Sequence, residues 1–166
     1  MATVTFQGNP VHLEGTLPAV GTTAPDFKLT GADLADKTLA DYAGKVKVVT
    51  VTPSLDTPVC ALSAVRFAKE AETLREKGVV ILNVSADLPF VFSRGCEATA
   101  GFEKLSTFRG CFPYGNKIVD GPLAGLYARA VLVLDKENKI VYTELCPEIA
   151  KEPNYTKVLD AVKALL

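Results

Sequence analysis

The chain has 166 residues, 48% of them hydrophobic, so it can bury the core of one domain over residues 1–166 without disulfide staples. Its 18 basic and 19 acidic residues leave a formal net charge of −1, which argues against a nucleic acid or an anionic membrane as partner. The chain has no secretory-signal pattern and no run near the roughly 18 apolar residues of a membrane span, which predicts a cytoplasmic protein with reduced thiols.

The first 15 residues predict a β-hairpin that caps the domain. Apolar and polar residues alternate in residues 3–6 and again in residues 11–14, and a turn-forming GNP segment separates them at residues 8–10. Prolines and glycines in residues 15–26 predict an extended loop after the hairpin.

Residues 45–87 predict a strand, a helix and a second strand. The segment KVKVVTVT at 45–52 has the nearly continuous apolar pattern of a buried parallel strand, and VVILNVSAD at 79–87 predicts another. Between them, apolar residues spaced at three and four predict an amphipathic helix, with Gly78 just beyond its end. This order predicts a βαβ unit.

The second half of the chain predicts further elements of the same sheet. A proline-led helical stretch that carries Cys96 follows the second strand. Residues 128–145 predict two strands joined by a polar turn at 136–139, and residues 155–166 predict a closing helix. The whole predicts an α/β domain with a mixed central sheet flanked by helices, plus the N-terminal hairpin.

Cys60 lies where a helix is predicted to begin. In SLDTPVC, Thr57 suits the N-cap, Pro58 suits the first helical position, and Cys60 then falls in the first turn. Unpaired backbone N–H groups and the helix dipole favour an anion there, which promotes a thiolate. The competing interpretation is an inert buried cysteine, but the rigid turn after a buried strand favours a site at the carboxyl edge of the sheet.

Ionisation of the sulfur cannot supply the whole rate of a fast enzyme. A thiol with a pKa of about 8.5 is roughly 3% ionised at pH 7, so complete ionisation gains only about thirtyfold. Donors that stabilise charge on a leaving group contribute about 10² to 10³ each. We therefore expect such donors near Cys60, and the candidates are the Thr57 hydroxyl, the N–H groups of the turn and an arginine from elsewhere in the chain.

The remaining cysteines and the single histidine form no recognised metal motif. Cys96, Cys111 and Cys146 are far apart in sequence, with no C-x-x-C pair, and His12 lies in the predicted hairpin. We expect no metal site and no cofactor. A cysteine hydrolase is also disfavoured, because it needs a histidine base beside its thiol.

PSLDTPVC, at residues 53–60, resembles the P-x-x-x-T-x-x-C motif of the peroxiredoxins. The chain as a whole is similar to their bacterial thiol peroxidase subfamily, whose members are atypical two-cysteine peroxiredoxins. The matching segments run nearly from end to end: FQGNPV, SADLPF, SRGC at 93–96, LSTFR, DGPLAGLYARAVLVLD at 120–135, PEI and EPNY.

The resemblance implies a role for five residues. Cys60 corresponds to the peroxidatic cysteine, Thr57 to the hydroxyl that binds thiolate and peroxide, and Pro53 to the residue that shields the sulfur. Arg129 corresponds to the site arginine of the family, and Cys96 to the resolving cysteine that forms an intrasubunit disulfide with Cys60.

The resemblance also implies a fold and an activity. The fold is a thioredoxin-like mixed sheet, and the activity is reduction of hydrogen peroxide and organic (alkyl or lipid) hydroperoxides in antioxidant defence and redox homeostasis. Thioredoxin is the implied reductant, and a homodimer is the implied assembly.

Two alternatives remain open on the sequence. Cys111 is a rival resolving cysteine, because sequence does not supply the distance to Cys60. A redox-sensing protein with slow turnover is the rival function, which steady-state peroxide consumption would distinguish. If Cys60 and Cys96 both lie in helices, their disulfide requires local unwinding, so we expect redox-dependent changes around residues 55–62 and 90–98.

Overall fold

Ten strands and two α-helices lie within residues 2–93, 101–110 and 112–166, the part of the chain that the computed structural model describes. The strands are β1 (Ala2–Phe6), β2 (Asn9–Glu14), β3 (Leu29–Gly31), β4 (Asp36–Lys37), β5 (Val46–Val51), β6 (Val79–Ser85), β7 (Phe102–Ser106), β8 (Lys117–Ile118), β9 (Ala130–Leu134) and β10 (Ile140–Leu145). The helices are α1 (Pro58–Leu74) and α2 (Tyr155–Lys163).

A mixed sheet with the strand order β10-β9-β5-β6-β7-β3-β4 forms the centre of the fold. Strands β5, β6 and β7 are parallel, and β9 joins β5 in antiparallel register. Every residue of β5 and β6 is buried, which accounts for the continuous apolar pattern of both segments. The predicted mixed α/β sheet is confirmed.

The two faces of this sheet are covered by different parts of the chain. Helices α1 and α2 pack on one face, where Phe67 and Val158 join residues of β5, β6 and β9 in one apolar cluster. Aromatic residues from the connecting segments cover the other face, among them Phe27, Tyr42 and Tyr114. Because both faces are covered, the carboxyl edge of the parallel strands is the place where a site can open.

The predicted N-terminal hairpin is present. Strands β1 and β2 pair in antiparallel register, and β8 adds a third strand to their sheet. The turn falls at Gln7 and Gly8, whose φ angles are 51° and 81°. The turn is therefore one residue earlier than predicted, and Asn9 and Pro10 belong to the returning strand instead of the turn.

The predicted helices are present with small differences at their ends. Helix α1 continues into a 3-10 turn over Arg75–Lys77, and Gly78 ends it in the left-handed conformation. Helix α2 ends three residues before the predicted end of the chain's last helix. No helix in the described part of the chain is long and apolar enough to cross a membrane.

Several short elements were not predicted. Strands β3, β4, β7 and β8 have between two and five residues each, too few for a clear periodicity. The proline-led stretch after β6 is described as a 3-10 turn over Pro89–Ser93. Cys96 and Cys111 lie outside the described residues, so the predictions that concern them stay predictions.

Candidate active site

The first turn of α1 begins just after the carboxyl end of β5. Thr57 is the N-cap, and its Oγ1 accepts a hydrogen bond from the Cys60 backbone N–H at 3.3 Å. Pro58 occupies the first helical turn, where its missing N–H costs no hydrogen bond. The predicted placement of Cys60 in the first turn is confirmed, and it results from local capping chemistry.

Arg129 lies against the sulfur of Cys60. Its Nη2 donates to Cys60 Sγ at 3.0 Å, and its Nε donates to the Ile149 carbonyl oxygen at 3.1 Å. Cys60 is 0% exposed and Arg129 is 2% exposed, so little solvent screens this contact. A guanidinium that touches a buried sulfur is an arrangement that stabilises a thiolate.

The other terminal nitrogen of Arg129 has no assigned role in the fold. Nη1 is buried and has no hydrogen-bond partner within the described ranges. A buried donor without a partner costs free energy, so such donors in native proteins usually have a functional reason. Nη1 is therefore available to an oxygen atom that enters the site.

A cavity of about 300 Å³ lies beside this contact. Pro53 and Thr57 line it from the turn before α1, Arg129 from the segment before β9, and Phe6 and Ile149 add apolar surface. The structure thus brings four of the five predicted site residues together, while Cys96 lies outside the described residues. Sequence reasoning missed the hairpin as part of this wall, because the pattern of residues 1–15 indicated only a cap.

The hairpin is held in place by the segment that carries Ile149. The Glu148 carboxylate accepts hydrogen bonds from the Thr5 hydroxyl at 2.5 Å and from the Gln7 N–H at 2.9 Å. These bonds, led by the one from Thr5, lower the pKa of Glu148 to about 2. The Ile149 N–H also donates to the Thr5 carbonyl, so one short segment orients both the hairpin and Arg129.

A carboxylate that sequence reasoning also missed supports the turn before Cys60. Asp87 accepts hydrogen bonds from the Ser54 hydroxyl at 2.6 Å, the Leu55 N–H at 2.7 Å and the Ser85 hydroxyl at 2.8 Å. Its role could have been inferred from the sequence, because Asp87 follows a buried parallel strand at the edge of the sheet where sites form.

Cys146 is buried but lies in a different environment. Its thiol is 2% exposed and lies 3.8 Å from a carboxylate oxygen of Glu144. Burial first, and the Glu144 carboxylate second, raise the pKa of Cys146 to about 12, against an opposing effect of Arg129. This thiol is therefore protonated at neutral pH, which is typical of a cysteine that packs in the core.

Two residues outside the cavity, Arg66 and His12, have local partners. Arg66 lies over the Tyr155 ring, with its Cζ 5.1 Å from the ring centroid. His12 pairs with Asp120 at 2.5 Å on the exposed side of the hairpin. Within the described ranges, no group of three or more His, Cys, Asp or Glu side chains is placed to bind a metal ion.

The chain is similar to proteins of known families over its whole length. It is 47% identical to a thiol peroxidase of Leptospira interrogans, with 100% of both chains covered, and 45% identical to a thiol peroxidase of Mycobacterium bovis, with 99% and 100% covered. A crystal structure of a peroxiredoxin-like protein from Aquifex aeolicus superposes with a TM-score of 0.87 at 38% identity, covering 99% of this chain and 97% of that one.

A thiol peroxidase from Chromobacterium violaceum, at 19% identity and a TM-score of 0.84, covers 98% of this chain and 95% of its own and supports the fold alone. The predicted thioredoxin-like peroxiredoxin fold is confirmed by these neighbours. The AhpC/TSA family model matches residues 20–143, a span that includes the turn before α1, Cys60 and Arg129. The chain belongs to the AhpC/TSA family.

Proposed function

We propose that this chain is a thiol-dependent peroxidase whose nucleophile is the Cys60 thiolate. The sulfur attacks the terminal oxygen of a hydroperoxide, the O–O bond breaks, and the leaving oxygen departs as water or an alcohol after it gains a proton. Cys60 is oxidised to the sulfenic acid in this step. The single observation that carries the proposal is the buried contact of 3.0 Å between Arg129 Nη2 and Cys60 Sγ.

The donors around the sulfur suit a transition state in which charge develops on oxygen. Arg129 has a second, unpaired nitrogen, Nη1, that can bind the leaving oxygen. The Thr57 hydroxyl donates to the Ser54 carbonyl and accepts from the Cys60 N–H, which leaves one acceptor position for the O–H of a hydroperoxide. Pro53 has no N–H and presents a buried apolar ring, which suits a role in keeping water from the sulfur.

The cavity supports organic hydroperoxides as substrates besides hydrogen peroxide. Phe6, Leu123 and Ile149 offer an apolar surface to an alkyl or lipid chain whose peroxide group lies near Arg129. The shape of the cavity alone does not select one hydroperoxide, so we propose the class.

The resemblance to two-cysteine peroxiredoxins suggests how the Cys60 sulfenic acid returns to the thiol. We propose that Cys96 attacks the sulfenic sulfur of Cys60, which releases water and forms an intrasubunit disulfide. A dithiol protein such as thioredoxin then reduces the disulfide to two thiols. We further propose that residues 1–166 form one domain that acts in the cytoplasm as a homodimer, in antioxidant defence.

A peroxide-driven assay coupled to thioredoxin and its reductase tests this function. We expect steady-state turnover by the wild type, none by Cys60→Ser, and one oxidation event without recycling by Cys96→Ser. Cys111→Ser and the buried-thiol control Cys146→Ser should retain turnover, because neither residue has a role in the proposed cycle.

Several results would contradict the proposal. Turnover by Cys60→Ser would show that Cys60 is not the nucleophile. A wild type that is oxidised by peroxide but turns over slowly with abundant thioredoxin would favour a redox sensor. Recycling that is lost in Cys111→Ser and kept in Cys96→Ser would transfer the resolving role to Cys111.

A further inference from the structure

The carboxylate of Asp87 joins the ends of two parallel strands to the turn that precedes α1. One oxygen accepts from the Ser54 hydroxyl at 2.6 Å, and the other accepts from the Leu55 N–H at 2.7 Å and the Ser85 hydroxyl at 2.8 Å. Its backbone carbonyl accepts from the Ser106 hydroxyl at the end of β7. Asp87 therefore fixes the turn relative to β6 and β7, and does not simply face solvent.

The bonds of Asp87 lead directly to the groups around Cys60. Ser54, which Asp87 holds, accepts through its carbonyl from both the Thr57 N–H at 3.2 Å and the Thr57 hydroxyl at 3.0 Å. Thr57 in turn caps α1 and accepts from the Cys60 N–H. The position of the Thr57 hydroxyl at the cavity thus depends on a chain of hydrogen bonds that begins at Asp87.

We propose that Asp87 is a positioning residue that holds the turn in its peroxide-reactive arrangement and opposes the unwinding needed for the disulfide. The proposal rests on the proposed function and deepens it. Asp87 favours the attack of Cys60 on peroxide and slows the later reaction of Cys60 with Cys96. Its hydrogen bonds from Ser54 and Leu55 are made in the wound state, whereas water replaces them when the turn leaves its place.

The loss of Asp87 should affect peroxide attack and disulfide formation in opposite directions, because the carboxylate binds the turn in the wound state and not in the unwound state. Loss of the carboxylate destabilises only the state in which the turn is held, so the equilibrium moves toward the unwound state. Peroxide attack, which needs Thr57 and Arg129 around the sulfur, becomes slower. Disulfide formation, for which the buried sulfur of Cys60 must leave its place against Arg129, becomes faster.

Quenched-flow mass spectrometry can measure the two steps separately. The rate of sulfenic acid formation at Cys60 is measured in a Cys96→Ser background, and the rate of disulfide formation is measured in the full chain. For Asp87→Ala we expect the first rate to fall about tenfold and the second to rise about tenfold, as for the loss of hydrogen bonds to a charged group.

Three further variants separate positioning from general destabilisation. Asp87→Asn keeps an acceptor for the Leu55 N–H, so both rates should move part of the way back toward wild type. Ser54→Ala removes one bond to Asp87 and should shift both rates in the same directions by a smaller factor. Asp160→Ala removes an exposed carboxylate of α2 and should leave both rates unchanged.

The outcomes distinguish this inference from the proposed function. A disulfide step that does not accelerate in Asp87→Ala, or two steps that slow together, would overturn the positioning role. Ser54→Ala, with a melting curve to check its fold, keeps the test valid should Asp87→Ala fail to fold. A wild type that forms no sulfenic acid at Cys60, or no disulfide with Cys96, would instead refute the proposed function.

Discussion

Cys60 and Cys146 are equally buried, at 0% and 2% exposure, but their neighbours carry opposite charges. A nitrogen of Arg129 touches the sulfur of Cys60 at 3.0 Å, and a carboxylate oxygen of Glu144 lies 3.8 Å from the sulfur of Cys146. Cys60 also occupies the first turn of a helix, whereas Cys146 follows the end of β10.

In this comparison, burial alone does not distinguish the cysteine that we propose as the nucleophile from the other one. Burial removes water from both sulfurs and by itself disfavours a thiolate. At Cys146 the opposing effect of Arg129 is smaller, and burial together with Glu144 raises the pKa to about 12. At Cys60 a guanidinium contacts the sulfur instead, and the sulfur belongs to the first turn of a helix, two features that are typical of reactive cysteines.

The largest expected difference is the rate of alkylation of the two thiols near neutral pH. With a pKa of about 12, Cys146 is thiolate in only about 10⁻⁵ of molecules at pH 7. Peptide mapping after brief iodoacetamide treatment should therefore show Cys60 modified at least about a thousandfold faster.

The rate of alkylation of Cys146 should increase with pH. Because the thiolate is the reactive form, alkylation of Cys146 should rise about tenfold for each pH unit between 7 and 9. Equal rates of alkylation of the two cysteines at pH 7, or a rate for Cys146 that does not change between pH 7 and 9, would contradict this difference between them.

An intermediate effect is expected from Arg129→Lys. A single ammonium cannot reproduce the planar fork that binds the Ile149 carbonyl and the Cys60 sulfur together and leaves one nitrogen for substrate. The second-order rate of peroxide reduction should fall about 100-fold, measured by single-turnover oxidation of Cys60.

Arg66→Lys is the matched control for this substitution. Arg66 lies in α1 itself, but it stacks on Tyr155 and is half exposed, so its replacement should change the rate less than about twofold. Equal losses of rate in the two variants would assign the effect to general destabilisation.

The smallest effect is expected from Glu144→Gln. Removal of the carboxylate charge lowers the pKa of Cys146, although burial, the larger cause, keeps it raised. Alkylation of Cys146 at pH 9 should rise by about threefold to tenfold, while peroxide reduction at Cys60 stays unchanged. An unchanged rate of alkylation would show that burial alone controls this thiol.

Local chemistry explains which parts of the fold could be predicted from sequence. The capping preference of Thr57, the proline in the first turn of α1 and the position of Cys60 involve residues within one helical turn, and all were predicted correctly. The continuous apolar pattern of β5 and β6 was also sufficient, because it reflects burial on both faces. Short strands such as β3 and β7 were missed, because tertiary pairing rather than periodicity defines them.

The sequence by itself determined the position of Cys60 in the first turn of α1, the hairpin and the buried parallel strands, since each depends on neighbours a few residues apart. Only the tertiary structure decided what surrounds the sulfur. Arg129 is 69 residues from Cys60, and Asp87 is 33 residues from Ser54, so no local pattern indicates that they meet. The physical reason is that sheet pairing and packing bring distant segments to one edge, and these segments supply the charged groups that lie beside the buried sulfur.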